Sequence, residues 1–299
     1  MINLSEVNEK IRLPFYGALF AIATADGHLD KQEMELIFGI MDLENMSEGA
    51  KRQAQSYVVN PPPLEYCLRK LSSADEGLRY GLMINLVDTA WADDDLDPSE
   101  EKAILLAQKE LRITNEQLEE IKKFIHKVRE IRERGLDDNY AADAIKTAAS
   151  GLTAVGVPIA AVWFSGSVIG LSAAGITSGL AALGAFVGLG GMIPGIGVAI
   201  LLGAGIFTGV NWLLDTGNER EKAQIQAEKE RKSQLVIQNM QAAINQLVEQ
   251  ISKLQEQALN LEGNAAEAEA NRTAVRILTE RLRAMQQSLK KRKQAALGV

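Results

Sequence analysis

GIGVAILLGAGIFTGVNWLL, residues 195–214, closes an uncharged run that begins at Thr147. The run from Thr147 to Leu214 has 68 consecutive residues without an Asp, Glu, Lys, Arg or His. An apolar run longer than roughly 18 residues is typical of a membrane-spanning helix. As a single helix this run would be about 100 Å long, against a hydrocarbon thickness of ~30 Å. It must therefore fold back on itself, as a hairpin or as two or three spanning pieces.

The uncharged run also contains 15 of the 25 glycines of the chain, many of them four residues apart. In an aqueous helix each glycine costs about 0.8–1.0 kcal/mol relative to alanine. In a membrane, a small residue at every fourth position lets helices pack closely. We therefore predict a glycine-zipper packing face made of Gly166, Gly170, Gly175, Gly179, Gly184, Gly188, Gly191, Gly195, Gly205 and Gly209. The alternative is a glycine-rich helical hairpin that is buried inside a soluble protein or oligomer.

Charge divides the rest of the chain into an acidic and a basic part. Residues 1–146 carry 18 Lys and Arg against 28 Asp and Glu, and residues 215–299 carry 14 against 11. The last thirty residues hold eight basic side chains and one acid, Glu280. This block predicts binding to anionic lipid head groups or to an acidic partner such as the N-terminal part. The predicted contact residues are Arg281, Arg283, Lys290, Lys291, Arg292 and Lys293. Nucleic acid is not an expected partner, because the net charge is −7 and no base-reading motif is present.

The N-terminus and the single cysteine bear on the compartment. Cys67 is alone, so the chain has no disulfide framework, as is usual in a reducing compartment. Arg12 and the apolar stretch 13–24 resemble a signal peptide, but Glu6 and Glu9 interrupt the basic region. We predict a buried first helix instead. The expected location is the cytoplasmic side of the inner membrane, or the cytoplasm with conditional membrane insertion.

Residues 1–135 predict an all-α, bundle-like domain. Apolar residues recur at helical spacing in Leu13–Ala23, Met34–Met41, Leu78–Trp91, Ile104–Leu111 and Leu118–Val128. Pro61–Pro63 must interrupt helix, because proline lacks an amide donor and restricts the residue before it. No alternating apolar and polar run is long enough to predict a strand. Residues 136–146 are expected to link this domain to the uncharged run.

A short internal repeat lies in this domain at an offset of 67 residues. ADGHLDKQE at 25–33 aligns with ADDDLDPSE at 92–100, and each copy stands between two apolar helices. An acid at the N-cap followed by Glu three residues later forms a capping box at a helix start. The predicted boxes pair Asp30 with Glu33 and Asp97 with Glu100.

The alternative for the same carboxylates is a site for a hard divalent cation, Ca²⁺ or Mg²⁺, because a loop crowded with acids needs compensating charge. The candidate ligands are Asp26, Asp30, Glu33, Asp93, Asp95, Asp97 and Glu100. These loops are not EF-hands. Twelve-residue loops would end at Ile37 and Ile104, where a bidentate glutamate is required.

At these residues the chain resembles the TerB-like tellurite-resistance family. The paired signature of that family stands here as Ala25–Glu33 and, with Asp94 in place of glycine, as Ala92–Glu100. The resemblance covers about residues 1–135 and does not extend to the remainder. It implies a compact helical domain with an acidic surface, and divalent-metal binding at the candidate ligands other than Asp95. It also implies protein partners in metal-stress and membrane-linked defence systems, without an established enzymatic activity.

Residues 215–299 predict a long helix with coiled-coil seams. The first seam, spaced alternately by three and four residues, is Ile237, Met240, Ile244, Leu247, Ile251, Leu254, Ala258 and Leu261. The second seam is Val275, Leu278, Leu282, Met285 and Leu289. Because Gly263-Asn264 interrupts the pattern, we predict a helical hairpin that folds at Glu262–Asn264. A continuous helix in an intermolecular coiled coil is the alternative.

No catalytic constellation is found, so we do not expect an enzyme. His28 and His126 lack Cys or His partners at zinc spacing, and no phosphate-binding loop or nucleophile elbow occurs. The first hypothesis is a membrane-inserting, self-associating protein of stress or defence, either pore-forming or a scaffold, with the acidic domain as sensor. The second is a soluble metal-responsive adaptor of a tellurite or metal-stress system, with the apolar hairpin buried in the fold or oligomer.

Overall fold

The computed structural model describes residues 4, 7–92, 96–134, 147–158, 219–260 and 265–296. Throughout these ranges the regular structure is helical, which confirms the all-α prediction. The N-terminal domain comprises α1 (Glu9–Ala23), α2 (Lys31–Ile40), α3 (Glu48–Ser56), α4 (Leu64–Leu71), α5 (Glu76–Ala90), α6 (Pro98–Glu110) and α7 (Asn115–Arg134). The C-terminal hairpin comprises α8 (Glu219–Asn260) and α9 (Ala265–Ala296).

Two apolar helices, α1 and α5, form the centre of the N-terminal domain. Helix α5 is buried at nearly every position, and α1 packs against α3, α4 and α5. Phe20 on α1 makes edge contacts with Phe38 on α2 and with Tyr57, at ring-centroid distances of 5.7 and 6.5 Å. All five stretches with helical spacing are helices, as predicted.

Helices α3 and α4 are the two that the apolar pattern does not indicate. Helix α3 buries only Ala50 and Ala54, and α4 has eight residues. Pro61–Pro63 separates these two helices, as expected. The proline segment packs closely against α1 at Gly17, where an added Cβ would lie 2.6 Å from Cγ of Pro62.

Helices α8 and α9 pack along each other, as a helical hairpin would require. Seam residues of both helices are buried between them and against the N-terminal domain: Met240, Ile244, Leu247, Ile251, Leu278, Met285 and Leu289. The turn predicted at Glu262–Asn264 lies outside the described residues.

The hairpin does not stand apart from the N-terminal domain. Helix α8 contacts α2 and α3, and α9 contacts α2. The buried apolar residues of the hairpin belong to one hydrophobic cluster with those of the N-terminal domain. The two charged parts of the chain therefore form one helical body with a shared core.

Of the uncharged run, only residues 147–158 are described. They are helical at 147–154, and Ala149, Leu152 and Val157 are buried in the common core. Nε2 of Gln117 on α7 donates to the carbonyl oxygen of Val155 at 3.0 Å. The predicted glycine-zipper face, from Gly166 to Gly209, lies outside the described residues. Within the described ranges, no helix has the length and apolar character needed to cross a membrane.

Candidate functional site

The first acidic loop connects α1 to α2 and is held by local hydrogen bonds. Gly27 adopts a φ of +93°, which favours glycine. A carboxylate oxygen of Asp26 accepts the amide of His28 at 2.8 Å. The amide of Asp30 donates to Oε2 of Glu33 at 2.8 Å, and together these two residues form a capping box. The carboxylates therefore serve the backbone at the start of α2.

The second acidic loop starts α6 in the same way. The amide of Asp97 donates to Oε2 of Glu100 at 3.0 Å, and Oδ1 of Asp97 accepts the amide of Ser99 at 2.6 Å. The Ser99 amide lowers the pKa of Asp97, because it stabilises the ionised carboxylate. Both predicted capping boxes are thus confirmed.

The described part of the two loops contains no group of three His, Cys, Asp or Glu side chains that could hold a metal ion. Asp93 and Asp95 lie outside the described residues. Asp26, Asp30, Glu33, Asp97 and Glu100 belong to two separate helix starts. Binding of Ca²⁺ or Mg²⁺ at these residues stays a prediction.

The first loop faces a cation of the C-terminal hairpin, Arg281. This residue of α9 is 8% exposed, and its Nη1 donates to the carbonyl oxygens of Val58 and Val59 at 3.1 and 3.5 Å. Burial lowers the pKa of the Arg281 guanidinium, and the charges of Asp26 and Glu33 oppose that shift. A residue predicted to contact lipid or an acidic partner is thus buried against the chain's own acidic domain.

Two further polar contacts join the hairpin to the N-terminal domain. Nδ2 of the buried Asn239 on α8 donates to the carbonyl oxygen of Met41 at 3.1 Å. The buried Ser288 on α9 donates to a carboxylate oxygen of Glu35 on α2. A buried polar group is costly when it lacks a partner. Asn239, Arg281 and Ser288 therefore each gain a hydrogen-bond partner from the N-terminal domain when the hairpin is docked.

The loop that receives Asn239 is itself fixed by α1. Nη1 of the buried Arg12 donates to the carbonyl oxygens of Asp42 and Glu44 at 3.1 and 2.7 Å. The hydroxyl of Tyr16 donates to the same Asp42 oxygen at 2.7 Å, and burial raises the Tyr16 pKa. Loop 41–47, which accepts the hydrogen bond of Asn239, is thus held by side chains of the first helix.

An open cleft of about 510 Å³ lies between this loop, α3 and α8. Its walls carry amide and charged side chains from both parts of the body, including Glu44, Lys51, Gln55, Gln234 and Gln238. Amide side chains donate and accept hydrogen bonds, as a peptide backbone does. Because its walls come from both parts, the cleft exists only when the hairpin is docked on the N-terminal domain.

Other predicted basic contacts of α9 lie on its exposed surface. Arg283, Lys290 and Lys293 are exposed, and Nζ of Lys293 lies 3.4 Å from Oε1 of Gln241. The side chains of Lys291 and Arg292 are outside the described residues. Arg276, also exposed, was not among the predicted contacts.

The heptad positions of these residues indicate which of them are exposed and which are buried. Arg276, Arg283 and Lys290 are seven residues apart and lie off the predicted seam, whereas Arg281 and Ser288 flank the seam. Arg12, Asp42 and Asn239 carry no such signal, because their roles depend on contacts between distant parts of the chain.

Comparison with known proteins gives one local similarity. The co-chaperone protein DjlA of Aliivibrio fischeri (strain ATCC 700601 / ES114) is 32% identical to this chain over 112 residues. The aligned part is 35% of this chain and 39% of that protein, so the chain covers well under half of its relative. No family model and no solved structure matches the chain. The comparisons therefore support a domain related to part of a co-chaperone, and they do not confirm the TerB-like family itself.

Proposed function

We propose that the protein is a non-enzymatic adaptor, in which the N-terminal domain and the C-terminal hairpin together present a surface to protein partners. On this proposal the uncharged run is kept buried in the fold or in an oligomer. The partners belong to a protein-quality-control or metal-stress system, by analogy with the co-chaperone and with TerB-like domains.

Docking of the hairpin is the observation that supports this proposal most directly. If the basic hairpin were not docked, its apolar residues would be available to contact another chain or lipid. Here the inner face of α9 is buried, with Arg281 against loop 57–63 and Ser288 against α2. The result is one body whose cleft at Gln55 and Gln238 is composed of both parts. A composite cleft of this size suits an extended peptide segment of a partner.

The co-chaperone component is tested by chaperone-assisted refolding of a denatured reporter enzyme. We expect full-length protein to change the refolding yield, and a double variant, Asn239→Ala with Arg281→Ala, to lose the effect. Arg283→Ala, on the exposed side of the same helix, serves as the control. An unchanged yield with the wild-type protein contradicts the co-chaperone component.

Membrane insertion is the second candidate, and the length of the uncharged run favours it. Its N-terminal flank, residues 147–158, is packed on the N-terminal domain, and α8 beyond its C-terminal end is packed there too. A segment that leaves and returns to one folded body crosses a bilayer an even number of times. Liposome flotation and leakage, with full-length protein against a variant lacking residues 160–214, separates the candidates. Flotation and leakage that depend on the run favour insertion, and a protein that stays in the dense bottom fraction favours the adaptor.

A further inference from the structure

We infer that the outer face of α9 is a docking surface for an anionic membrane surface. This face, the basic stripe, consists of Arg276, Arg283 and Lys290, all of which are exposed. The inference concerns peripheral attachment, and it requires neither the adaptor function nor insertion of the uncharged run.

The stripe is a row of positive charge, with one exposed acid, Glu280, at its edge between Arg276 and Arg283. Its members are seven residues apart, so each lies about 10 Å along the helix axis from the next. At about 100° per residue, Arg276, Arg283 and Lys290 lie roughly opposite the buried Met285. In the described part of the chain the structure gives these three cations no ion pair. Arg272, one turn before the stripe, has Glu269 at 3.6 Å.

The docking of the hairpin orients this charge. The inner face of α9 meets the N-terminal domain, and residues 1–146 carry 28 acids against 18 bases. Helix α9 is about 10–12 Å thick, whereas the Debye length at physiological ionic strength is ≈ 8 Å. Much of the acidic domain therefore lies more than a Debye length beyond the stripe, where its repulsion from an anionic surface is strongly screened.

The geometry favours a membrane over nucleic acid. A major groove is about 12 Å wide and admits a single helix. Helix α9 is flanked by α8, and two helices side by side are about 20 Å across. Helix α9 also has no aromatic residue on which a single-stranded base could stack. A flat anionic surface can instead meet the whole row of cations at once.

The test is flotation of full-length protein with phosphatidylcholine vesicles that contain or lack phosphatidylserine, at low and high salt. We expect binding that requires the anionic lipid and weakens with salt. The triple variant Arg276→Gln, Arg283→Gln and Lys290→Gln should bind about 100-fold more weakly, since each cation near such a surface contributes roughly fivefold. The control variant, Arg52→Gln, Lys102→Gln and Lys109→Gln, removes the same charge from exposed positions of the N-terminal domain and should bind as wild type.

Three outcomes would overturn the inference. Equal flotation of the triple and control variants shows that the stripe has no special role: a shared loss means that only net charge matters, and no loss means that another surface binds. Equal binding to vesicles with and without phosphatidylserine assigns binding to the uncharged run. Tight binding to duplex DNA or to an acidic polypeptide, without binding to vesicles, assigns the stripe to another partner. A charge-conserving variant, Arg276→Lys with Arg283→Lys, should retain binding and excludes a folding defect as the cause of a loss.

Discussion

At the scale of the residue, Arg281 is the side chain on which the docking of the hairpin depends most. Its buried guanidinium loses hydration. In place of water it donates to two carbonyl oxygens and is stabilised by the negative charges of Asp26 and Glu33. Its Nε has no partner within the described residues. A buried cation with incomplete partners stabilises weakly in net terms, but its removal leaves carbonyl groups unsatisfied.

Arg281→Ala should therefore lower the free energy of unfolding by roughly 2–3 kcal/mol. Arg283→Ala, two residues away and exposed, should change it by less than about 0.5 kcal/mol. Urea denaturation followed by circular dichroism measures both variants. Equal losses would show that Arg281 acts only through helix propensity or net charge.

The two capping boxes are the residues best foreseen from the sequence. Their chemistry is local, because an N-cap acid and a Glu three residues later contact the amides of their own helix start. Arg12 and Asn239 were not foreseen as anchors, and Arg281 was foreseen only as a contact to lipid or to an acidic partner such as the N-terminal part. Their partners are backbone carbonyls far away in the chain, and nearly every residue offers a carbonyl.

The cap of α6 also predicts an acid-dependent contribution to stability. The Ser99 amide lowers the pKa of folded Asp97 below its unfolded value of ≈ 3.9. The contribution is therefore fully present above about pH 4 and is lost as the pH falls through the folded pKa. Asp97→Asn keeps a good N-cap but cannot titrate. Below about pH 4 its thermal midpoint should therefore fall less steeply with decreasing pH than that of the wild type. Parallel curves for the two proteins between about pH 2 and 6 would contradict this assignment.

At the scale of the element, the helices with a strong apolar period were foreseen and the polar ones were not. Helices α3 and α4 are short, and their positions follow from contacts with α1 rather than from their own pattern. The same limit applies to the hairpin. Its seams predicted the pairing of α8 with α9. They did not predict the second buried face of α8, at Val236 and Ala243, which is buried by residues outside the seam.

A pair of glycines tests how closely these elements approach. Gly17→Ala places a Cβ 2.6 Å from Cγ of Pro62 and 3.0 Å from Sγ of Cys67, so α1 and α4 must separate. We expect a loss of roughly 1–3 kcal/mol. Gly49→Ala in α3 meets no atom within 4 Å and should stabilise by up to about 1 kcal/mol. Thermal unfolding of both variants decides the point, and a neutral Gly17→Ala would refute the tight contact.

At the scale of the whole molecule, the uncharged run is an insertion in one helical body. Residues 147–158 pack on α7 and the common core, and α8 packs on α2 and α3. The sequence predicted three consecutive segments of acidic, neutral and basic character. The structure brings the first and third together, because the seam of the hairpin and the face of the N-terminal domain bury more apolar surface jointly than apart.

This arrangement predicts that the body survives without the run. Replacement of residues 160–217 by a Gly/Ser linker of about 20 residues, with a root-mean-square reach of roughly 25 Å, should leave a single cooperative unfolding transition. Hydrogen exchange should still protect the segment around Asn239 on α8, because its contact with Met41 lies inside the retained body. Arg281→Ala in the same background provides the control, since it weakens docking without a change in chain length. Two separate transitions, or loss of protection in α8 after the replacement alone, would mean that the run itself holds the hairpin in place. The run would then be part of the core of the protein, and a transfer of its helices into lipid would require the hairpin to undock.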